Sequence, residues 1–384
     1  MSQRLLWVMV SRIPQVVQET PVSVLLLLLA TTVVSFLIFV SAAVYVLAPT
    51  PRPPLPSEKT YITSAPDGST TAARPLPCWY DEWLAHRKEA AKVGDRSEKH
   101  TGTINEPEVY MSVVIPAYNE EERLELMLEE AVAFLDAEYG RVPRKEKGKA
   151  NGQAEKTRGG GMGGYEILIV NDGSKDGTVD IALAFSKKHN LHDILRICTL
   201  QHNRGKGGAV THGFRHVRGA YAIFADADGA SKFEDLAKLV EGCEAVADES
   251  NRSIAVGSRA HLVGSEAVVK RSALRNALMH SFHLLLWLLT PPATSRIRDT
   301  QCGFKLFSRA SLPYIIPYMH AEGWIFDVEM LMLAESAVLS RPQGTTIGTA
   351  NPGIRIAEVP IRWKESGHGM GTGDPEAELD DGGL

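Results

Sequence analysis

Between residues 108 and 258 the chain reads as short apolar runs separated by stretches of helical spacing. The runs are Ser112–Ile115, Tyr165–Val170, Leu195–Leu200, Tyr221–Ala225 and Ile254–Gly257. Between them, apolar residues recur every three to four positions over Glu120–Leu135, Thr178–His189, Lys206–Val217 and Phe233–Val246. Strands that alternate with helices predict an α/β domain whose mostly parallel central sheet is covered on both faces. Ligands of such sheets bind beyond the carboxyl ends of the strands.

The pattern is different on either side of this region. Val22 to Ala48 carries no charged residue. As a helix it would be about 40 Å long, enough to cross a bilayer core of roughly 30 Å. A cleaved signal peptide is the rival reading, but its apolar core would be shorter, about 7–15 residues. Arg4 and Arg12 before the run and Arg52 and Lys59 after it nearly balance, so charge does not set the orientation. Residues 1–21 are then an N-terminal segment, 22–48 a transmembrane helix, and 108–365 the folded domain. Residues 49–107, rich in Pro, Ser and Thr, read as a linker and juxtamembrane segment. Within it Trp79, Tyr80, Trp83 and Leu84 are expected to form a short helix on the membrane or on the domain. Residues 141–164 are Lys-, Arg- and Gly-rich and read as a disordered insertion, because they hold too little apolar surface to fold. The Gly-rich, acidic residues 366–384 read as a disordered tail. Ser272–Leu289 mixes Arg275 and two His with Leu and Trp; it is either a helix in the membrane interface or a buried core helix.

The net charge of -5 and the lack of a concentrated basic face argue against nucleic acid as a partner. Cys78, Cys198, Cys243 and Cys302 are far apart and form no CxxC pair, so they read as buried thiols facing a reducing compartment.

Polar residues collect at four successive strand ends. These are Pro116-Ala117-Tyr118-Asn119-Glu120, Asn171-Asp172-Gly173-Ser174, Asn203-Arg204-Gly205-Lys206-Gly207-Gly208 and Asp226-Ala227-Asp228-Gly229. Two carboxylates one residue apart after an apolar strand suit Mg²⁺ or Mn²⁺, which prefer a few carboxylates plus water and phosphate oxygens. The alternative for Asp226 and Asp228 is a plain turn. Asp172-Gly173-Ser174 is a nucleotide contact or a capping turn. The Gly205–Gly208 stretch lacks the Walker spacing; its glycines would let backbone approach a diphosphate, with Lys206 as a phosphate partner or a solvated side chain.

The segments VVIPAYNEE, ILIVNDGSKDGT, NRGKGGAV and FADADG, in this order, resemble inverting family 2 glycosyltransferases of GT-A fold. Within that family FADADGASKFEDL, DTQCGFKLFSR, EGWIFDVEML and IAEVPIRWKE resemble the dolichyl-phosphate β-glucosyltransferases. The resemblance implies transfer of glucose from UDP-glucose to dolichyl phosphate at the endoplasmic reticulum membrane, with the catalytic domain in the cytosol. It also implies roles for individual residues. Pro116, Tyr118, Glu120 and Asp172 would hold the uridine, and Lys206 would sit at the nucleotide pocket. Asp226 and Asp228 would bind the metal and donor diphosphate. Arg259, Arg275 and Lys305 would line the acceptor side. The QxxRW signature of processive synthases is missing.

The reaction expected is a single displacement at the anomeric carbon. An acceptor phosphate is already anionic and needs charge neutralisation more than a general base, which suits arginine forks; Arg259 and Arg275 could equally be surface residues paired with acids. Two rivals stand beside this reading: a dolichyl-phosphate mannosyltransferase using GDP-mannose, and a non-catalytic membrane scaffold of the same fold. Asn251-Arg252-Ser253 is an N-glycosylation sequon, expected to stay bare if the domain is cytosolic.

Overall fold

The computed structural model describes residues 21–47, 50–93, 104–141, 163–262, 290–337 and 353–364. The N-terminal segment, nearly all of the expected insertion, the stretch Ser272–Leu289 and the acidic tail lie outside the described residues. The chain divides into two compact units, Met1–Thr50 and Pro51–Leu384.

The first unit holds one helix, α1 (Val22–Leu47). Its segment Val22–Ala43 is long and apolar enough to cross a membrane. Leu26–Leu29, Phe36–Phe39 and their neighbours are exposed around the helix. That arrangement suits lipid, where an α-helix satisfies its own backbone groups.

The second unit begins with a small hairpin of β1 (Thr60–Tyr61) and β2 (Arg74–Pro75), followed by α2 (Trp79–Val93). The alternating region follows: β3 (Val109–Ala117), α3 (Leu124–Tyr139), β4 (Tyr165–Asn171), α4 (Thr178–Lys188), β5 (Leu195–Thr199), α5 (Gly205–Phe214), β6 (Gly219–Ala225), α6 (Leu236–Val246) and β7 (Ile254–Ser258). Next come α7 (Pro292–Arg296), β8 (Phe304–Ser308), α8 (Leu312–Ile315), α9 (Phe326–Ser336) and β9 (Ile356–Pro360).

Among the described residues one seven-stranded sheet, in the order β5-β4-β3-β6-β8-β7-β9, forms the centre. Its pairs are parallel except that β8 runs antiparallel between β6 and β7. All seven residues of β4 and all five of β8 are buried, as strands covered on both faces must be. One apolar layer, with Ile115, Leu128, Phe233 and Leu239, lies on one face of the sheet; the other, with Phe214, Phe224, Phe307 and Phe326, lies on the opposite face.

The stretch expected to be a linker folds onto this body instead. Trp79 and Trp83 are buried, and the Trp79 indole N–H donates to the Phe214 carbonyl at 2.6 Å. Glu58 is fully buried, accepts two bonds from Arg52 and one from the Gln201 N–H, and Ile62 bridges to Ile197 of β5. Apolar residues too sparse for a periodic pattern each find a place on the domain, and a buried carboxylate is held because it is fully paired.

Candidate functional site

The first two strand-end loops are tied to each other. Asn119, in the left-handed region at φ 56, receives its neighbours in both directions: its N–H donates to Ser174 Oγ at 3.0 Å and its Oδ1 accepts from the Lys175 N–H at 2.9 Å. The Glu120 N–H donates to Thr178 Oγ1 at 2.8 Å, and Glu121 accepts from the Gly177 N–H at 2.6 Å. Asn tolerates this backbone because its short amide can bond locally. Asn119, Glu121, Ser174 and Thr178 thus lock the two strand-end loops together. Sequence reasoning gave them no role, although all lie inside the quoted motifs.

Asp172, at the end of β4, is buried, and its carboxylate accepts from the Arg204 N–H at 2.7 Å. Burial raises its pKa to about 6, against the pull of the Arg204 and Gly205 N–H groups. Pro116 lies in register with Val170 on the neighbouring strand, and Tyr118 stands exposed at the rim. These three and Glu120 lie at or just beyond the carboxyl ends of β3 and β4.

Asp226 and Asp228 follow β6. Lys206, in the first turn of α5, places its ammonium 2.6 and 2.9 Å from the two Asp226 oxygens. Burial alone would lower the Lys206 pKa, but Asp226, Asp327 and Asp228 outweigh it and the value is raised. Asp228 uses Oδ1 on the Ala230 N–H at 2.9 Å. Burial pushes Glu120 up and Arg123 opposes it, while Asp228 and Asp226 push it further up. The three carboxylates therefore share one field. No cluster of three or more acidic, His or Cys ligands exists among the described residues. The candidate donor set is thus two hard carboxylates, with Lys206 on both oxygens of Asp226. That fits Mg²⁺ or Mn²⁺ bound together with phosphate, and not a dedicated protein cage.

Gly303 is the residue opposite Asp226. The Asp226 N–H donates to the Gly303 carbonyl at 3.1 Å, and a β-carbon on Gly303 would stand 1.8 Å from Asp226 Oδ2. The glycines of the third loop also have a packing reason. A β-carbon on Gly207 would strike Phe326 at 2.5 Å, and one on Gly205 would meet the Glu322 carbonyl at 2.7 Å. They let α5 pack against residues 321–326, which sets where Lys206 points.

The acceptor-side residues separate. Arg259 forks onto Asp299, with Nε and Nη2 at 2.7 and 2.9 Å from its oxygens. That pairing raises the Arg259 pKa, and it holds Asp299 down against its burial. The Arg259 guanidinium also lies 5.8 Å from the Trp363 ring. Lys305 does not line an open pocket. It is fully buried in the central strand β8, and its ammonium is held by Asp327 and the Cys302 carbonyl, both at 2.5 Å. A buried ammonium survives only with such partners. Lys305 and Lys206 both approach the Phe224 ring, at 5.1 and 6.0 Å. Lys305 and Lys206 therefore share the Phe224 ring. Arg275 lies outside the described residues. Asp299 and Asp327 carried no role in the sequence reading, although each stands in a quoted motif.

The model of glycosyl transferase family 2 matches residues 112–312. The dolichyl-phosphate beta-glucosyltransferase of Saccharomyces cerevisiae is 38% identical over 343 residues, covering 87% of this chain and 84% of the yeast protein. The Drosophila melanogaster enzyme of that name is 42% identical over 67% of this chain and 68% of its own length; the human one is 37% identical over 73% and 76%. Among solved structures, Mycobacterium tuberculosis glucosyl-3-phosphoglycerate synthase aligns over 66% of this chain and 73% of its own, with a TM-score of 0.40 and 17% identity. A second crystal structure of that synthase holds Mn²⁺, UDP-glucose and phosphoglyceric acid, with a TM-score of 0.39.

Proposed function

Since this chain belongs to the dolichyl-phosphate beta-glucosyltransferases of glycosyl transferase family 2, we propose that it transfers glucose from UDP-glucose to dolichyl phosphate, through a GT-A domain. The observation that carries this reading is the likeness to dolichyl-phosphate beta-glucosyltransferases over most of the chain, with Asp226, Asp228, Glu120 and Lys206 gathered at the strand ends.

Asp172 accepts from the base of the nucleotide, while Pro116, Tyr118 and Glu120 frame it. Asp226 and Asp228 would hold Mg²⁺ or Mn²⁺, which would supply positive charge to the leaving diphosphate. Lys206 gives that diphosphate a second positive partner. An oxygen of the acceptor phosphate attacks the anomeric carbon as the bond to UDP breaks, so the product is the β-linked glucosyl phosphate and UDP. No proton needs to leave the nucleophile. Arg259, held in place by Asp299, and Arg275 neutralise the acceptor as the two phosphates approach. Lys305 is a positioning residue, acting through Asp327 and the Phe224 ring.

The apolar helix Val22–Leu47 anchors the chain in the endoplasmic reticulum membrane, and the catalytic domain faces the cytosol, where nucleotide-sugars are supplied. The product then serves N-glycan precursor assembly. The test is transfer of label from UDP-glucose to exogenous dolichyl phosphate by the full-length protein in membranes. It should depend on added Mg²⁺ or Mn²⁺ and stop on chelation; transfer that persists in excess chelator contradicts the metal assignment.

A further inference from the structure

Beyond α1, five large apolar side chains stand exposed among the described residues. Three of them, Tyr318, Trp324 and Ile325, belong to the segment that leads into α9. Trp324 is 79% exposed and its neighbour Ile325 is 50% exposed. Single exposed apolar residues are ordinary, but an adjacent Trp and Ile left in water forgo the burial that such side chains usually find.

The segment is firmly held. The His320 and Ala321 N–H groups donate to the Glu329 carboxylate at 3.0 and 2.7 Å. Arg204 Nε donates to Glu322 Oε1 at 2.8 Å, and the Gly208 N–H donates to the Glu322 carbonyl at 3.2 Å. Trp324 and Ile325 therefore extend from a clamped turn.

The course of the chain indicates what this turn meets. Arg204 also donates through Nη2 to the Arg52 carbonyl at 3.0 Å, so one guanidinium ties Arg52 to Glu322. Arg52 follows Leu47, the last residue of the apolar helix, by five residues. Five residues reach at most about 18 Å. If α1 lies in a bilayer, covalent reach alone keeps Arg52 near that surface, and Arg204 keeps Glu322 beside Arg52. Trp324 is two residues further on.

We infer that Trp324 and Ile325 dock into the interface of the bilayer that holds α1. Trp suits that layer because its ring is apolar while its indole N–H stays hydrated. The inference rests on the membrane anchoring proposed above. Its consequence is presentation of the site. The docked turn packs on α5 at Gly205 and Gly207, so it would fix the helix that carries Lys206 relative to the surface in which a lipid acceptor lies.

The test uses the full-length protein in phosphatidylcholine vesicles, with either plain acyl chains or chains brominated at their upper carbons. Bromine quenches an indole only on close approach. The Trp324 signal is the fluorescence of wild type minus that of Trp324→Phe, a variant that should fold normally because the side chain is exposed. That signal should fall about two-fold or more in brominated vesicles, as expected for a ring buried about 5–10 Å into the interface. Trp324→Asp should raise the KM for dolichyl phosphate in plain vesicles about ten-fold, with the Kd for UDP-glucose unchanged. A Trp324 signal that bromine leaves intact overturns the inference, whether aqueous acrylamide quenches the ring or another part of the chain covers it. A loss of UDP-glucose affinity in Trp324→Asp also overturns it, since Trp324 would then belong to the donor pocket. Wild-type transfer from UDP-glucose that continues beside an unquenched Trp324 rejects the docking and leaves the proposed reaction standing.

Discussion

Gly303 and Asp226 face each other across β8 and β6 with no space for a side chain between them, since a β-carbon on Gly303 would fall 1.8 Å from Asp226 Oδ2. Gly303→Ala must therefore displace the Asp226 carboxylate, the proposed metal ligand. Transfer should fall about 100-fold or more, and the metal concentration for half-maximal rate should rise, while the chain stays folded. Gly323→Ala is the control, because nothing lies within 4 Å of that position. Equal activity of the two variants would show that Asp226 does not need its observed place.

Asp172 gives a pH prediction of definite sign. Its pKa rises from 3.8 to about 6 on folding, mainly through burial. The fold thus favours the protonated form. That contribution to stability is complete below about pH 4 and is lost as pH rises through about 6. Asp172→Asn avoids the loss, so at pH 7.5 the unliganded variant should be more stable than wild type by about 1–3 kcal/mol, with the gain vanishing below about pH 4. Donor affinity should move the other way: the wild-type KM for UDP-glucose should rise below about pH 6. Thermal unfolding against pH checks the first expectation and initial rates the second. A variant less stable than wild type at pH 7.5 would contradict the burial argument.

The strands and helices from Val109 to Ser258 were legible because each buried strand is a compact apolar run and each helix repeats with its own period. β8 was not. Phe304–Ser308 is short, and nothing local tells that it inserts antiparallel between β6 and β7. Lys305 was misread for the same reason: in a strand covered on both faces a Lys must point inward, and its partner Asp327 is 22 residues away. Asp226 and Asp228 were found at the end of β6, where the apolar run ending at Ala225 placed them. The Arg259–Asp299 fork was not, since it joins residues 40 apart. For the Gly205–Gly208 stretch the sequence shows glycines but not the Phe326 ring that Gly207 accommodates.

The segment before β3 should prove part of the catalytic fold. Trp79 is 2% exposed and bonds the Phe214 carbonyl. Trp79→Ala should cost about 3–5 kcal/mol, and lower the unfolding temperature by roughly 10 °C. Trp79→Phe keeps most of the burial and should lose about 1 kcal/mol. An unchanged unfolding temperature for Trp79→Ala would return residues 51–93 to the status of a linker.

Orientation can be read at Asn251. It is exposed at φ 57, but Arg252 and Ser253 of the same sequon are buried, with the Ser253 N–H donating to Ser308 and Ser311. Asn251 should be unmodified in cells, and the catalytic domain in intact vesicles should be open to protease from the cytosolic side. A mobility shift removed both by endoglycosidase and by Asn251→Gln would place the domain in the lumen.

The central claim is the identity of donor and acceptor, and donor competition tests it most directly. Membranes carrying the full-length protein are given dolichyl phosphate and labelled UDP-glucose, with excess unlabelled UDP-glucose or GDP-mannose as competitor. Label should enter the lipid, UDP-glucose should suppress it, and GDP-mannose should not. Asp228→Ala, folded by its unfolding temperature, should reduce transfer about 100-fold or more. Preferential transfer from GDP-mannose, or near-normal transfer by folded Asp228→Ala, would contradict the account.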